Sequence, residues 1–307
     1  MPQKKVSFKH HLEYALFSIV IIISKYSPAW FIPVEIKILI FLLKKSSRRH
    51  SRLIAHNLVR AFPSATPGLL QELQKNIYSH FGNVFVEIVN TFARRNPQAI
   101  LARTRILHPE ILRRALKKKR GLIVFSAHFG NWEWIPLIMH THLDKDIYSI
   151  ARPMDNPLIE KKVRVFREAM GSKIIYKQGS LRTIFARLAS NEIIYLLIDQ
   201  NTVPREGVFV DFFAQKASTI TTVSQLYLKK NIPVVPVFLH YEGQEIILDC
   251  LPEINYSRRD NGSDDLLALT QQMTGLIETQ IRKFPEQWLW FHDRWRTQPQ
   301  GATHEGQ

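Results

Sequence analysis

His128 and Glu133 are the residues whose types and spacing most directly indicate chemistry. They stand five positions apart in the string SAHFGNWE, residues 126–133. A carboxylate that holds an imidazole fixes its tautomer and stabilises the imidazolium, which makes the pair a general base. Side chains five positions apart do not share a helix face, where neighbours are three or four apart. We therefore predict that His128 lies in a turn, that Gly130 eases the bend, and that Glu133 follows on the first helical turn.

The motif directly follows an apolar run, GLIVFS at residues 121–126. Such a run is typical of a strand that is buried on both faces. Ligands of α/β sheets bind beyond the carboxyl ends of strands, so His128 is predicted to lie where reactive groups usually lie. Asn131 is a candidate either to cap the following helix or to donate to a developing oxyanion. By itself, the HxxxxE pattern also fits a strand-to-helix junction with an incidental His and Glu.

The rest of the chain alternates between apolar runs and segments of helical periodicity. Further strands are predicted at residues 147–150, 173–176, 193–198, 233–239 and 246–251. Helices are predicted at residues 51–62, 69–92, 109–119, 156–170, 180–189, 221–230 and 264–284. Strands that alternate with helices predict an α/β fold, a mixed sheet flanked by helices. We predict one catalytic domain at 46–300, after an N-terminal segment at 1–45 and before a flexible tail at 301–307.

Two apolar stretches in the N-terminal segment predict attachment to a membrane. The first, residues 14–23, is well short of the roughly 20 residues that a spanning helix needs. The second, residues 29–43, is interrupted by Pro33, Glu35 and Lys37. Basic residues flank the two stretches: Lys4, Lys5, Lys9, Lys44, Lys45, Arg48, Arg49 and Arg52. No small-x-small cleavage site supports a signal peptide, so a tilted span and a pair of interfacial helices remain as alternatives.

Several blocks of the sequence resemble one family, the bacterial lipid A biosynthesis late acyltransferases. This is the branch of the lysophospholipid acyltransferase superfamily that has HxxxxE in place of HxxxxD. The blocks occur in the family's order and cover essentially the whole chain: AHFGNWE at 127–133, RP at 152–153, NP at 156–157, Arg167 with Gly171, LIDQ at 197–200, GVFVDFF at 207–213, VVPVF at 234–238, PEQWLW at 285–290, and Arg294 with Trp295. Asp211 and Ala214 depart from the proline and glycine that are more common in the family.

The resemblance implies a fold like that of glycerol-3-phosphate acyltransferase and an acyl transfer reaction. By it, His128 deprotonates a hydroxyl of a membrane lipid, most directly a lipid A precursor, and Glu133 orients His128. The donor is the thioester of acyl carrier protein, a co-substrate, and no cofactor is implied. The expected location is the cytoplasmic face of the bacterial inner membrane. The alternatives are acylation of a lysophospholipid, aminolipid or aryl-polyene lipid, and an inactive membrane-bound relative.

The resemblance also assigns residues to substrate binding. Arg167 resembles the family's essential arginine and would bind a lipid phosphate or steady the oxyanion. Arg164 would take that role if the family's arginine corresponds to the position three residues earlier in this sequence. Asp199 resembles the family's third-block carboxylate and would orient Arg167 or a sugar hydroxyl, with Gln200 beside it.

The formal net charge of +16 over 307 residues implies an acidic partner. A basic cluster precedes the catalytic strand: KKKR at 117–120, with Arg103, Arg105, Arg113 and Arg114. It is a candidate docking surface for an acidic carrier protein or an anionic lipid, and a solvated basic helix is the alternative. No stacking aromatics interleave it, which disfavours nucleic acid. The single cysteine, Cys250, excludes an intramolecular disulfide, and we expect no bound metal.

Overall fold

The structure is a computed structural model that describes residues 6–46, 48–94, 96–176, 181–259 and 262–299. The predicted tail at 301–307 lies outside the described residues. The helices are α1 (Phe8–Tyr26), α2 (Ile32–Ser46), α3 (Arg48–Ala61), α4 (Pro67–Arg94), α5 (Gln98–Leu101), α6 (Glu110–Lys117), α7 (Trp134–Leu143), α8 (Pro157–Ala169), α9 (Leu181–Ala189), α10 (Thr222–Lys230) and α11 (Gly262–Lys283). The strands are β1 (Thr104–Leu107), β2 (Leu122–Ser126), β3 (Ile147–Ala151), β4 (Ser172–Tyr176), β5 (Ile193–Leu197), β6 (Gly207–Phe212), β7 (Gln215–Ile220), β8 (Val234–Glu242) and β9 (Glu245–Cys250).

Seven of the strands in the described part of the chain form one mixed sheet, in the order β1-β9-β8-β2-β5-β3-β4. Strands β8, β2, β5, β3 and β4 are parallel, whereas β9 runs antiparallel to β8 and β1 follows the direction of β9. The carboxyl ends of the five parallel strands therefore meet at one edge, which we call the carboxyl edge. The prediction of an α/β fold with a mixed sheet flanked by helices is confirmed.

Strand β2 lies in the middle of this sheet, and all five of its residues are buried. Leu122 and Val124 pack into a hydrophobic cluster with residues of α6 and α7. Ile123 and Phe125 point the other way, into a cluster with residues of α9, α10 and α11. Because side chains alternate between the two faces of a strand, helices on both sides require the uninterrupted apolar run that the sequence has.

Helix α1 lies across the carboxyl edge of the sheet. Near its start, the Asn156 amide, in the loop that follows β3, donates to the His10 carbonyl (2.8 Å) and to Glu13 Oε2 (2.9 Å). Near its end, Arg94 Nη2 donates to the Ser24 carbonyl (3.2 Å). Arg94 is the last residue of α4. The start of α1 is thus attached directly at the carboxyl edge, and its end is attached to α4.

Among the described residues, no helix has both the length and the apolar character required to cross a bilayer. Helices α1 and α2 instead expose apolar side chains to solvent. The exposed positions on α1 are Phe8, Leu12, Leu16, Ile19, Val20, Ile22, Ile23 and Tyr26, and those on α2 are Val34, Ile38 and Phe41. Trp30, in the turn between the two helices, is 75% exposed. The membrane anchor predicted for residues 1–45 stays a prediction.

Candidate active site

The turn that follows β2 carries His128 at the carboxyl edge, as predicted. Gly130 has a φ of +55°, a left-handed conformation that favours glycine, and this confirms that it bends the chain here. A Cβ atom at this position would lie 2.1 Å from the Leu239 carbonyl oxygen of β8. Glu133 directly precedes α7 as its N-terminal capping residue. The sequence therefore folds locally into a tight strand–turn–helix unit that presents His128.

The carboxylate that contacts the His128 imidazole is Asp199, just beyond the end of β5. The distance from His128 Nδ1 to Asp199 Oδ1 is 2.8 Å. The backbone N–H of His128 also donates to Asp199 Oδ2, at 2.9 Å. This corrects the prediction that Glu133 orients His128, and it corrects the expectation that Asp199 serves Arg167 or a sugar hydroxyl. The physical reason is topological: β5 is the direct parallel neighbour of β2, so the residues after both strands meet.

Asp199 keeps a negative charge although it is only 3% exposed. Burial raises its pKa, but the charge and hydrogen bonds of His128 and the Trp288 indole outweigh burial and lower the pKa to about 2. A carboxylate that is ionised at neutral pH can only accept, so His128 Nδ1 carries the proton and donates it. That tautomer leaves the lone pair of His128 on Nε2.

The second ring nitrogen of His128 faces Gln200 and stands beside Trp132. Gln200 Nε2 lies 3.4 Å from His128 Nε2. The ring centroids of His128 and Trp132 are 4.9 Å apart, with an interplanar angle of 66°. The imidazole side chain is 19% exposed, so Nε2 belongs to the accessible part of the site rather than to the core. The predicted role of Gln200 in substrate binding stays a prediction, now with a definite position.

Glu133 pairs with Arg167 from α8. Arg167 Nε donates to Glu133 Oε2 (2.9 Å), and Nη2 donates to Oε1 (2.5 Å), which is a two-pronged ion pair. Burial lowers the pKa of Arg167, but the Glu133 charge outweighs burial and raises it overall. Arg164 lies one turn away, and its Nε is 3.7 Å from Glu168. Between the two arginines that the sequence left open, Arg167 is the one in contact with the HxxxxE motif.

Sequence comparisons identify the family. A family profile described as bacterial lipid A biosynthesis acyltransferase matches residues 1–297. The chain belongs to this family. It is 25% identical over 265 residues to the lipid A biosynthesis lauroyltransferase of Escherichia coli K12, which covers 83% of this chain and 82% of the relative. It is 21% identical over 266 residues to the lipid A biosynthesis myristoyltransferase of the same organism, covering 84% and 78%. A phosphatidylinositol mannoside acyltransferase of Mycolicibacterium smegmatis is 24% identical over 185 residues, 59% of each chain.

Membership confirms the resemblance that the sequence blocks carry. The protein is an acyltransferase, its family acts in lipid A biosynthesis, and its acceptor is a lipid.

Asn131 of the acyltransferase has neither of the two predicted roles. Its side chain is completely buried, and its amide donates to Glu87 Oε2 of α4 at 3.0 Å. The helix start uses the Asn131 backbone instead, because the Trp134 N–H donates to the Asn131 carbonyl (3.0 Å). An amide that points inward to a carboxylate cannot reach an oxyanion at the mouth of the site. Asn131 is therefore a structural part of the turn.

The C-terminal segment of the acyltransferase is hydrogen-bonded to the catalytic turn. The Gly130 N–H donates to the Gln287 carbonyl (2.8 Å), and the Leu289 N–H donates to the His128 carbonyl (2.9 Å). The Trp288 indole N–H donates to Asp199 Oδ2 (2.8 Å). Trp288 is 1% exposed and packs in the core, and its indole also holds the carboxylate that contacts His128.

Tyr195 of β5 lies beneath the site and was not predicted. It is buried, and its hydroxyl donates to the Trp132 carbonyl (3.3 Å). Burial raises the Tyr195 pKa well above its ordinary value, and the charges of Glu133 and Asp199 raise it further. Both carboxylates therefore act on one buried phenol, which stays protonated. The sequence signal for Tyr195 was only an aromatic residue in an apolar strand, which is ordinary core composition.

The basic run of the acyltransferase at residues 117–120 does not lie at the active site. Residues 117–120 directly precede the amino end of β2, whereas His128 follows its carboxyl end. Two members of the larger cluster are paired: Arg105 with Glu245 (2.9 Å) and Arg103 with Glu87 (3.1 Å). The cluster at 117–120 is consequently on the opposite edge of the sheet from the reacting groups.

Proposed function

We propose that this acyltransferase moves a fatty acyl chain from the thioester of acyl carrier protein to a hydroxyl of a lipid A precursor, with His128 as the general base. The observation that carries the proposal is the contact between His128 Nδ1 and Asp199 Oδ1 (2.8 Å), which leaves Nε2 as the accepting nitrogen. In this mechanism Asp199, rather than Glu133, orients the imidazole and stabilises the imidazolium.

The reaction needs no enzyme nucleophile, since a thioester is already a good acyl donor. His128 Nε2 takes the proton of the acceptor hydroxyl as its oxygen attacks the thioester carbon. The new C–O ester bond forms, and the C–S bond breaks. The thiolate leaves and takes the proton from the imidazolium, which restores neutral His128. The low pKa of Asp199, about 2, keeps a negative charge beside the imidazolium at neutral pH.

Arg167 is the group that we assign to the anionic part of the acceptor. Its guanidinium has five N–H donors in a fixed plane, and the contact with Glu133 engages Nε and Nη2. Glu133 thereby fixes the orientation of the guanidinium while other N–H groups remain for a lipid phosphate. Gln200, 3.4 Å from His128 Nε2, is assigned to the reacting oxygens.

A second acceptor class has support from one relative. The mycobacterial relative is a phosphatidylinositol mannoside acyltransferase, and it is as similar in identity as the lipid A enzymes. Both names describe glycolipids that carry phosphate. The shared chemistry, a sugar hydroxyl near an anionic group, agrees with a general base that lies close to a half-buried arginine.

We further propose that the N-terminal helices attach the enzyme to the cytoplasmic face of the inner membrane, lying in the interface. The exposed apolar positions of α1 recur at helical spacing, and Trp30 lies in the turn between α1 and α2. Lys9 beside this face is 81% exposed and suits anionic headgroups. Since α1 crosses the carboxyl edge, this attachment would bring His128 close to lipid acceptors.

The test uses purified protein, acyl carrier protein loaded with a radiolabelled acyl chain, and a lipid A precursor in mixed micelles. We expect His128→Ala to lower kcat/KM by about 10²- to 10⁴-fold, as the removal of a general base does. Asp199→Asn should lower kcat by a similar factor, because an amide can hold the wrong tautomer. Glu133→Gln should act mainly through Arg167 and raise KM for the phosphorylated acceptor.

His56→Ala is the matched control, because His56 is an exposed histidine on α3, and its activity should equal that of the wild type. Wild-type activity of His128→Ala would refute the mechanism. If Asp199→Asn were fully active while Glu133→Gln lost kcat, the assignment of the orienting carboxylate would be reversed.

A further inference from the structure

A second carboxylate, that of the half-buried Glu87 on α4, accepts hydrogen bonds from four donors around the catalytic turn. Its Oε2 accepts from the Asn131 amide (3.0 Å), from the Trp134 indole (2.9 Å), and from the Tyr241 hydroxyl. Its Oε1 accepts from Arg103 Nη1 at 3.1 Å. The Glu87 side chain is 17% exposed, so water does not replace these partners cheaply.

The partners of Glu87 come from three separate parts of the sheet region. Asn131 and Trp134 lie on either side of Glu133 and bracket the end of the catalytic turn. Tyr241 belongs to β8, the strand whose Leu239 carbonyl lies against Gly130. Arg103 directly precedes β1. Glu87 is therefore the point where α4 joins the turn to the neighbouring strands.

Each partner of Glu87 is a donor, which explains why a carboxylate stands here. Burial raises the pKa of Tyr241 well above its ordinary value, and the Glu87 charge raises it further, so the phenol stays protonated and donates. The indole of Trp134 and the guanidinium of Arg103 can only donate. Glutamine would offer one acceptor oxygen to the three donors on Oε2 and would turn its NH₂ group toward Arg103, which is itself a donor.

We propose that Glu87 is a positioning residue for acyl transfer, which sets the backbone of residues 131–134 so that Trp132 and Glu133 meet His128 and Arg167. This inference rests on the proposed function. The contacts that depend on the placement are the Trp132 ring beside His128 (4.9 Å between centroids) and the two hydrogen bonds from Arg167 to Glu133. A displacement of about 1 Å in such a frame costs on the order of 10²-fold in rate.

A purely structural carboxylate elsewhere in the chain supplies the comparison. Asp265 of α11 is 3% exposed, and its Oδ1 accepts from the Tyr256 hydroxyl (2.8 Å) and the Arg259 N–H (2.9 Å). Like Glu87, it accepts a hydrogen bond from a tyrosine hydroxyl. The partners of Asp265, unlike those of Glu87, belong to the segment before α11. Among the described hydrogen bonds, neither partner contacts residues 126–133.

The experiment compares Glu87→Leu, Glu87→Gln and Asp265→Leu with the wild type, using the micellar acyl transfer assay and thermal unfolding. We expect Glu87→Leu to lower kcat by about 10- to 100-fold, because Trp132 and Glu133 are displaced from His128 and Arg167. KM for the phosphorylated acceptor should rise, as in Glu133→Gln, whereas KM for acyl carrier protein should change less than about threefold. Glu87→Gln should recover most of kcat, because its amide oxygen can still accept from Asn131, Trp134 and Tyr241. Asp265→Leu should lower Tm comparably and leave kcat within about twofold.

The outcomes separate this inference from the proposed function. If Glu87→Leu is folded and has wild-type kcat while His128→Ala is inactive, the positioning role is refuted and the mechanism stands. An equal loss of kcat in Asp265→Leu would likewise refute it, since lost stability would then explain both. Activity in His128→Ala would refute the mechanism itself, whatever Glu87 does. Should Glu87→Leu not fold, a loss of kcat in Glu87→Gln equal to that of His128→Ala contradicts the expected rescue and overturns the inference.

Discussion

A histidine on α4 is held in its neutral form close to the catalytic turn. His80 precedes Glu87 by two helical turns and so lies on the same side of α4. Burial lowers the pKa of His80 to about 4, and a backbone interaction with Gly130 offsets only part of this. Its ring packs against Tyr241 with 5.7 Å between centroids. A base whose pKa is lowered by folding makes the folded state sensitive to acid.

The stability of the protein should therefore fall as the pH drops from about 6.5 to about 4. In this pH window His80 is protonated in the unfolded state and neutral in the folded state. The unfolded state therefore binds more protons, and a lower pH favours unfolding. The effect is at most about 3 kcal/mol and is absent above the ordinary histidine pKa. Urea unfolding at pH 7.5 and at pH 4.5 measures it.

His80→Phe keeps an aromatic ring against Tyr241 and removes the titrating group, so it serves as the control. Its loss of unfolding free energy between the two pH values should be smaller than that of the wild type. Equal losses in the two proteins would mean that His80 is not the acid-sensitive group.

Among single residues, the sequence predicts those whose roles depend on local spacing. His128 and Gly130 follow from the string after β2, because the strand–turn–helix unit is built from adjacent residues. The partner of His128 does not follow, since Asp199 lies 71 residues away and reaches it only through the pairing of β2 with β5. Glu133 is closer to His128 in sequence, but its carboxylate is hydrogen-bonded to Arg167 instead.

At the level of elements, the turn between β2 and α7 is compressed between β8 and the C-terminal segment. The Leu239 carbonyl approaches Gly130 from β8, and the Gln287 carbonyl accepts the Gly130 N–H. Phe129 and Trp288 form an isolated antiparallel bridge. The turn is thus enclosed on two sides by backbone atoms. Unlike a side chain, the backbone cannot relieve a clash by changing rotamer.

Gly130→Ala should destabilise the protein by roughly 3 kcal/mol or more and abolish most activity. The positive φ costs an alanine about 1 kcal/mol, and the Cβ atom would also push the Leu239 carbonyl, 2.1 Å away. Gly243→Ala is the matched control, because its φ is +60° but no atom lies within 4 Å of its Cβ position. Chemical denaturation of both variants measures the difference. Equal losses would mean that φ alone matters at Gly130.

Strands with apolar residues on both faces were predicted from the sequence. Strands in which apolar and polar residues are mixed were not. The runs that became β2, β3, β4, β5, β8 and β9 are dominated by apolar residues. β1 carries Thr104 and Arg105, and β7 begins with Gln215 and Lys216, so neither shows a continuous run. Partly exposed strands have a weaker signal, because polar residues that face solvent also occur in loops.

For the whole molecule, the chain divides into an apolar face and a basic face at opposite edges of the sheet. The exposed apolar residues of α1 lie across the carboxyl edge, and the cluster at 117–120 precedes the amino end of β2. This division was not predictable, because the sequence indicates which segments are apolar or basic but not the edge at which each one lies.

Leu16→Glu combined with Ile19→Glu should reduce binding to anionic lipid vesicles by at least about tenfold, because two apolar side chains leave the interface and negative charge is added. Flotation on a density gradient measures the bound fraction. Val59→Glu with Leu69→Glu is matched in charge and exposure, as these residues are each 55% exposed on α3 and α4. It should bind like the wild type. Equal loss in both pairs would show that net charge, not the α1 face, controls attachment.

The bond between the Gly130 N–H and the Gln287 carbonyl joins two residues that lie 157 positions apart in the chain. The ribosome makes the catalytic turn and Asp199 well before it makes Trp288. Until residues 287–289 are synthesised and packed, the turn lacks these backbone partners and Asp199 lacks its indole donor. The assembled geometry of His128 is therefore a late product of folding, although the residues that form it are made early.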